Sequence, residues 1–274
     1  MGVDRTEGPP ALAAQSSVRD RSSMVVTIGQ FAVLPITVLL WHIVAVNGWV
    51  DPLVSRTPEQ VWDYLVEGWR SGEIVDNFAA TMQAVVIAFV LASVVGVVAG
   101  IALALLPRTE RILNPYLDAL NAMPRIALAP IFIVYFGLDM SAKVALAFTI
   151  VVFVLLTNAR AGVHSADHDV VRLTTVLGAN KRQVFTKVYL PVSAPAIFGG
   201  LRLGLIYALL GVVGSELIAA RDGLGQLIAK YAGVFRMEAV YGLLIVLAVV
   251  AATINALMRW AERWVLRWQP RERG

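Results

Sequence analysis

His164, Asp167, His168 and Asp169 stand close together in the chain, and two histidines four residues apart share one face of a helix, a spacing able to hold a metal ion. A metal centre would need a further ligand from elsewhere, and none is evident. Ordinary solvated loop residues explain the group, so no metal is expected. Other short signatures of chemistry are missing: the chain has no G-x-x-x-x-G-K-[ST] phosphate loop, no G-x-S-x-G and no H-E-x-x-H. No catalytic residue is assigned, and any ATP that drives this protein must be bound by a partner. The chain contains no cysteine, which removes disulfides and thiol chemistry.

What remains is a small set of ions inside apolar runs. Arg125 and Arg202 each lie about two helical turns from one end of their run, where a mid-membrane arginine costs roughly 2.5–3.5 kcal/mol on insertion scales. Each either snorkels its guanidinium to the headgroups or lines an anion-friendly pathway. Glu216, near the opposite end of its run, either faces the pathway or fixes a helix contact.

The elements that must carry these residues follow from composition. The chain of 274 residues is 58% hydrophobic and 15% charged, with a mean hydropathy of +0.71, against roughly 45–50% and about 25% in soluble domains. Such an excess needs lipid as solvent. The net charge of +4 is spread in short blocks between apolar runs and not gathered on one basic face, so nucleic acid is not a partner. Apolar runs occupy 24–46, 78–106, 117–136, 144–157, 196–220 and 239–258. They are continuous and longer than the alternating 9–11 residues of a membrane strand. The expected fold is an all-α membrane protein of about six transmembrane helices, in one transmembrane domain at 24–258 between a polar tail (1–23) and a basic tail (259–274). Between the first two runs, Val61, Trp62, Leu65, Val66 and Trp69 make an amphipathic piece, either flat on the membrane or part of a solvated hairpin. Gly96 and Gly100 have the spacing that lets two helix backbones approach.

Positive charge sets the orientation. Arg5, Arg19, Arg21, Arg108, Arg111 and the blocks from Arg160 to Lys187 and Arg259 to Arg273 fall on one side, against Arg56, Arg70, Lys143, Arg221, Lys230 and Arg236 on the other. Both termini and the loop 158–195 are therefore expected in the cytoplasm, in a multi-pass protein of the inner or plasma membrane.

That loop is the most informative segment. From Arg172 to Tyr189 it reads as helix, turn, helix, with Gly178 free to take positive φ between them and Pro191 and Pro195 opening the next membrane helix. Val184, Phe185 and Val188 form an apolar stripe at helical spacing, which on a cytoplasmic surface suggests burial against a partner, the other reading being packing beneath its own bundle.

At this loop the chain resembles the permease subunits of ABC importers, whose hallmark is Glu-Ala-Ala, three residues, Gly, nine residues, Ile, one residue, Leu-Pro. Gly178, Val188, Leu190 and Pro191 stand at that spacing, while Arg172, Leu173 and Thr174 replace Glu-Ala-Ala. The segments 121–130 with 135–137, 177–195 and 214–225 are similar to the nitrate, sulfonate, taurine and bicarbonate branch. The resemblance implies a type I importer fold with two permease copies, two cytoplasmic ATPases holding ATP and Mg, and an extracytoplasmic solute-binding protein. It implies that Arg172, Leu173, Thr174, Gly178, Ala179, Val184, Phe185, Val188, Leu190 and Pro191 couple to the ATPase, and that the permease itself carries no cofactor. Arg125, Arg202 and Glu216 are the candidates to line the pathway.

Overall fold

The structure, a computed structural model, describes residues 32–33, 35–51 and 53–267. The polar tail 1–23, the start of the first run at 24–31 and the last residues of the basic tail lie outside the described residues. The chain divides into two compact units, Met1–Trp62 and Asp63–Gly274. In the first, helix α1 (Pro35–Val46) is followed by a turn in which the Trp41 indole donates to the Arg56 carbonyl at 2.9 Å. Helix α2 (Pro58–Arg70) starts with proline at its first position, where no backbone N–H is needed.

The second unit holds the remaining helices. They are α3 (Glu73–Leu105), α4 (Pro107–Ala122), a 3₁₀ turn (Arg125–Leu128) leading into α5 (Ala129–Phe136), α6 (Met140–His164), α7 (His168–Val176), α8 (Lys181–Val184), α9 (Leu190–Ile218), α10 (Leu224–Gly233) and α11 (Met237–Val265). Among the described residues there is no strand. Among the described residues four helices are long and apolar enough to cross a membrane, α3, α6, the stretch through α8 and α9, and α11, and a fifth crossing arises if the bent pair α4–α5 counts as one. The count expected from sequence was about six. Helix α1 covers only about 18 Å at 1.5 Å per residue, and the residues that would lengthen it are not described.

The third run is not one helix. Pro124 supplies no N–H and pushes Met123 into extended backbone (ψ 132), and the two halves meet at 82°. Helix α6 in turn runs beyond Thr157 through Asn158 and Arg160 to His164, so the polar stretch after the fourth run begins as helix.

Helix α6 lies between α3 and α9. Along α3 the buried residues Thr81, Ala84, Val85, Ala88, Ala92, Gly96, Gly100 and Ala104 make one stripe of small side chains. It packs on Ala147, Val151 and Leu155 of α6, which also meet Ala208, Leu209 and Val212 of α9. The glycines set the spacing: a Cβ on Gly96 would stand 2.7 Å from the Val152 carbonyl oxygen, and one on Gly100 would strike the Leu156 carbonyl. The outer face of α3 is apolar too, with Val90, Val94 and Val98 exposed. A helix apolar on both faces belongs in lipid or in an assembly core. A second cluster joins Tyr64, Ile74, Leu227, Tyr231 and Leu243, seating α10 on the start of α3 and of α11.

Candidate functional site

The loop between α6 and α9 is built by consecutive capping motifs. Asp167 caps α7 by accepting from the Asp169 N–H at 2.8 Å. At the other end Gly178 takes φ +87°, its N–H reaching the Thr175 carbonyl at 3.0 Å and the Ala179 N–H the Thr174 carbonyl at 3.2 Å. This is a Schellman ending, which requires the left-handed conformation that glycine adopts without strain. Nothing lies within 4 Å of a Cβ placed there, so conformation and not space selects glycine. Asn180 then starts α8 in a reciprocal capping box with Gln183, both bonds 2.9 Å. Asn180 and Gln183 escaped the sequence reading, although Asn-x-x-Gln after a glycine is a helix-start signal.

A π-helical turn, Phe185–Tyr189, joins α8 to α9. Its wider ring accommodates Pro191, which cannot donate and would crowd the carbonyl four residues back. Val184 and Val188 are each 8% exposed and Phe185 is half-buried. Of the two places the sequence left open for this apolar stripe, a partner surface or its own bundle, the chain itself largely covers Val184 and Val188. Other residues present the apolar surface: Leu173 is 60%, Val176 77% and Leu177 79% exposed, at the end of α7. Arg172 is exposed beside them, and the Thr174 hydroxyl donates to the Val170 carbonyl at 2.6 Å. Ala179 and Pro191 are half-buried and Leu190 is exposed.

At the base of this loop Glu110 of α4 meets α6, with Arg160 Nε at 3.5 Å and His164 Nε2 at 3.3 Å, and Arg160 donates to Asn114 Oδ1. His164 therefore has a carboxylate neighbour on α4. Among the described residues no group of three His, Cys, Asp or Glu is placed to hold a metal.

Glu216 lies toward the other end of α9, in a sealed junction. It is 1% exposed, and its carboxylate accepts from the Thr81 hydroxyl at 3.0 Å, from Lys143 Nζ at 3.2 Å and from the Gly225 N–H at 3.0 Å. Asn77 Oδ1 accepts from the Gly223 N–H at 2.7 Å and Thr81 Oγ1 from the Leu224 N–H at 2.9 Å. Three side chains thereby satisfy the backbone donors that open α10, with the negative charge at the positive end of the helix. Lys143, 2% exposed, also donates to the Asp222 carboxylate at 2.5 Å and to its carbonyl at 2.8 Å. A Cβ on Gly223 would collide with the Glu216 carboxylate, and one on Gly225 would stand 2.7 Å from Glu216 Cβ. Sequence assigned Lys143 to an outer turn before a run read from 144; helix α6 begins at Met140 and carries Lys143 inside.

The two arginines that sequence placed within apolar runs differ. Arg202 of α9 pairs with Glu262 of α11 at 3.3 Å. Arg125, at the break between α4 and α5, donates to Asn121 Oδ1 at 2.8 Å, and its guanidinium lies 4.4 Å from the centroid of the Phe153 ring.

This architecture of close-packed apolar helices, with a capped helix–glycine–helix loop, coincides with a family match over residues 92–269 to the binding-protein-dependent transport system inner membrane component. The chain belongs to that family. It is an ABC transporter permease, and permeases of these importers lack catalytic ATPase activity, partnering instead with ATPase and solute-binding proteins. The taurine transport system permease TauC of Escherichia coli is 29% identical over 232 residues, 83% of each chain. A putative aliphatic sulfonates transport permease, SsuC, of Bacillus subtilis is 29% identical over 215 residues, 78% of each. A riboflavin transport system permease, RibX, of Chloroflexus aurantiacus is 35% identical over 141 residues, 52% of this permease and 53% of the relative. Among solved structures, the inward-facing MetNI methionine ABC transporter matches with a TM-score of 0.63 at 17% identity, covering 70% of this permease and 95% of that chain. At that identity the likeness concerns the fold.

Proposed function

We propose that this permease forms the translocation pathway for a small anion of the sulfonate, taurine, nitrate or bicarbonate class, in an importer powered at the α7–Gly178–α8 loop. The observation that carries the powering role is the apolar group Leu173, Val176 and Leu177, left exposed beside a rigidly capped turn. Large apolar side chains on a water-facing loop are stabilised by a partner surface, and a helix end pinned by a Schellman motif and a capping box can transmit a push without unravelling. In this reading ATP closes the paired ATPases, their grooves carry the loops of two permease copies, and the bundle switches between inward-open and outward-open states. Both termini lie on the ATPase side, the solute-binding protein docks at the opposite side, and membrane lipid covers the outer apolar faces. The anion class draws on relatives named for taurine and aliphatic sulfonates.

The test is to purify the tagged protein from its host in mild detergent and identify what accompanies it. An ATP-binding subunit that is retained by the native chain and lost in Gly178→Trp, with membrane insertion intact, is the expected result. A permease that runs alone even after crosslinking would instead make it a solitary transporter or channel.

A further inference from the structure

Arg125, at the break between α4 and α5, is a cation with no carboxylate partner among the described residues. Its contacts among the described residues are Asn121 Oδ1 at 2.8 Å, the Leu120 carbonyl at 3.4 Å and the Phe153 ring face at 4.4 Å. Phe153 lies on α6 about 20 Å from Met140 and about 17 Å from His164, at 1.5 Å per residue, so the guanidinium is near mid-height of that crossing. Neutral neighbours leave its full charge uncompensated. Arg202 shows the alternative, since its charge is answered by Glu262.

The backbone around Arg125 is equally uncommon for this depth. The chain bends by 82° between α4 and α5, and Met123 and Pro124 are extended. Irregular backbone at membrane depth is stable only inside protein or against a water-filled cavity. Arg125 is half-exposed and Asn121 is exposed, and a charged group open at this depth is stable against water and not against lipid tails. Asn121 and the Leu120 carbonyl engage only Nη2, and the in-plane donors on Nε and Nη1 match the oxygens of a sulfonate, carboxylate or nitrate.

We infer that Arg125, held on Phe153 at the break between α4 and α5, is an anion-binding station halfway along the pathway and selects negatively charged solutes. This rests on the permease importing an anion and adds the residue that recognises the charge. The phenyl ring positions the guanidinium by cation–π attraction without neutralising it, and Asn121 sets its rotation.

The absence of native cysteine allows a test that needs no knowledge of the transported solute. Asn121→Cys places a single thiol beside the guanidinium. In the full-length permease in lipid nanodiscs, its modification rate is measured with an anionic ethylsulfonate thiosulfonate and with neutral methyl methanethiosulfonate; in both the thiolate attacks sulfur and a sulfinate leaves. Any effect of Arg125 on the thiol itself alters both rates alike, so their ratio reports anion attraction. Replacing Arg125 by Gln is expected to lower the anionic-to-neutral ratio about tenfold, and Arg125→Lys to retain part of it. An unchanged ratio, or a thiol closed to both reagents, overturns the inference. So does a ratio that collapses when phosphatidylglycerol replaces phosphatidylcholine, since the guanidinium would then lie among lipid headgroups. Recovery of the ATPase with the native chain is scored separately, so failure of the station and failure of the importer reading remain distinguishable.

Discussion

Lys143 and Glu216 are joined by an ion pair of 3.2 Å in which both side chains are almost sealed from solvent. The pair links α6 to α9, and through Thr81, Asn77 and the α10 donors it also ties in α3 and α10. Breaking one partner of a buried pair leaves the other charge uncompensated, at roughly 3–5 kcal/mol. Lys143→Met, which strands the Glu216 carboxylate, is expected to lower the unfolding free energy in detergent by an amount of that order, read as a fall in the thermal midpoint, and Glu216→Gln by less, because Lys143 keeps Asp222. The double variant should lose clearly less than the sum of the two. Strict additivity in this cycle would show that the pair contributes no coupling.

The α3–α6 contact depends on bare backbone. Gly100→Leu is expected to exceed the roughly 1–3 kcal/mol of ordinary overpacking, because its side chain meets the Leu156 carbonyl and Ala159 Cβ. Size-exclusion profiles should show aggregation. Gly199→Ala, on α9 with nothing within 4 Å, is expected to be neutral or stabilising by up to about 1 kcal/mol. Equal behaviour of the two variants would contradict this packing.

On the loop, Leu177→Asp and Val176→Asp are expected to reduce recovery of the ATPase while membrane insertion and unfolding midpoint stay near those of the native chain, since both side chains are exposed. Val184→Asp, in a covered position, should lower the midpoint itself. Undiminished ATPase recovery with Leu177→Asp would remove that surface from the interface.

Burial and the hydrogen bond to Glu73 push the Tyr231 hydroxyl from 10.0 up to about 12, and burial also raises Tyr64 beside it. Folding therefore holds the Tyr231 proton more tightly than the unfolded chain does. The resulting stability is fully present below about pH 10 and lost as pH rises toward about 12. Ultraviolet titration of phenolate should show a late-ionising tyrosine that disappears in Tyr231→Phe. Among the described residues the buried Tyr64 hydroxyl has no hydrogen-bond partner, so Tyr64→Phe is expected to be neutral or mildly stabilising.

Much of this protein is legible in its residues alone. Long apolar runs force membrane helices because unpaired backbone groups are too expensive in lipid. Gly178 between two short helical segments announces a stop because few residues take positive φ, while the Asn180 cap that restarts the helix went unread. Gly96 and Gly100 signal a close contact but not its partner, and only the packed bundle names α6. Tertiary structure alone decided that Lys143, counted by sequence as a loop charge, is buried against Glu216, because residues so far apart in the chain meet only once α3, α6 and α9 have packed. It also decided that Val184 and Val188 turn inward while Leu173, Val176 and Leu177 face out. A helical stripe has the same spacing whichever way it points, and its direction is set by the neighbours that fold against it.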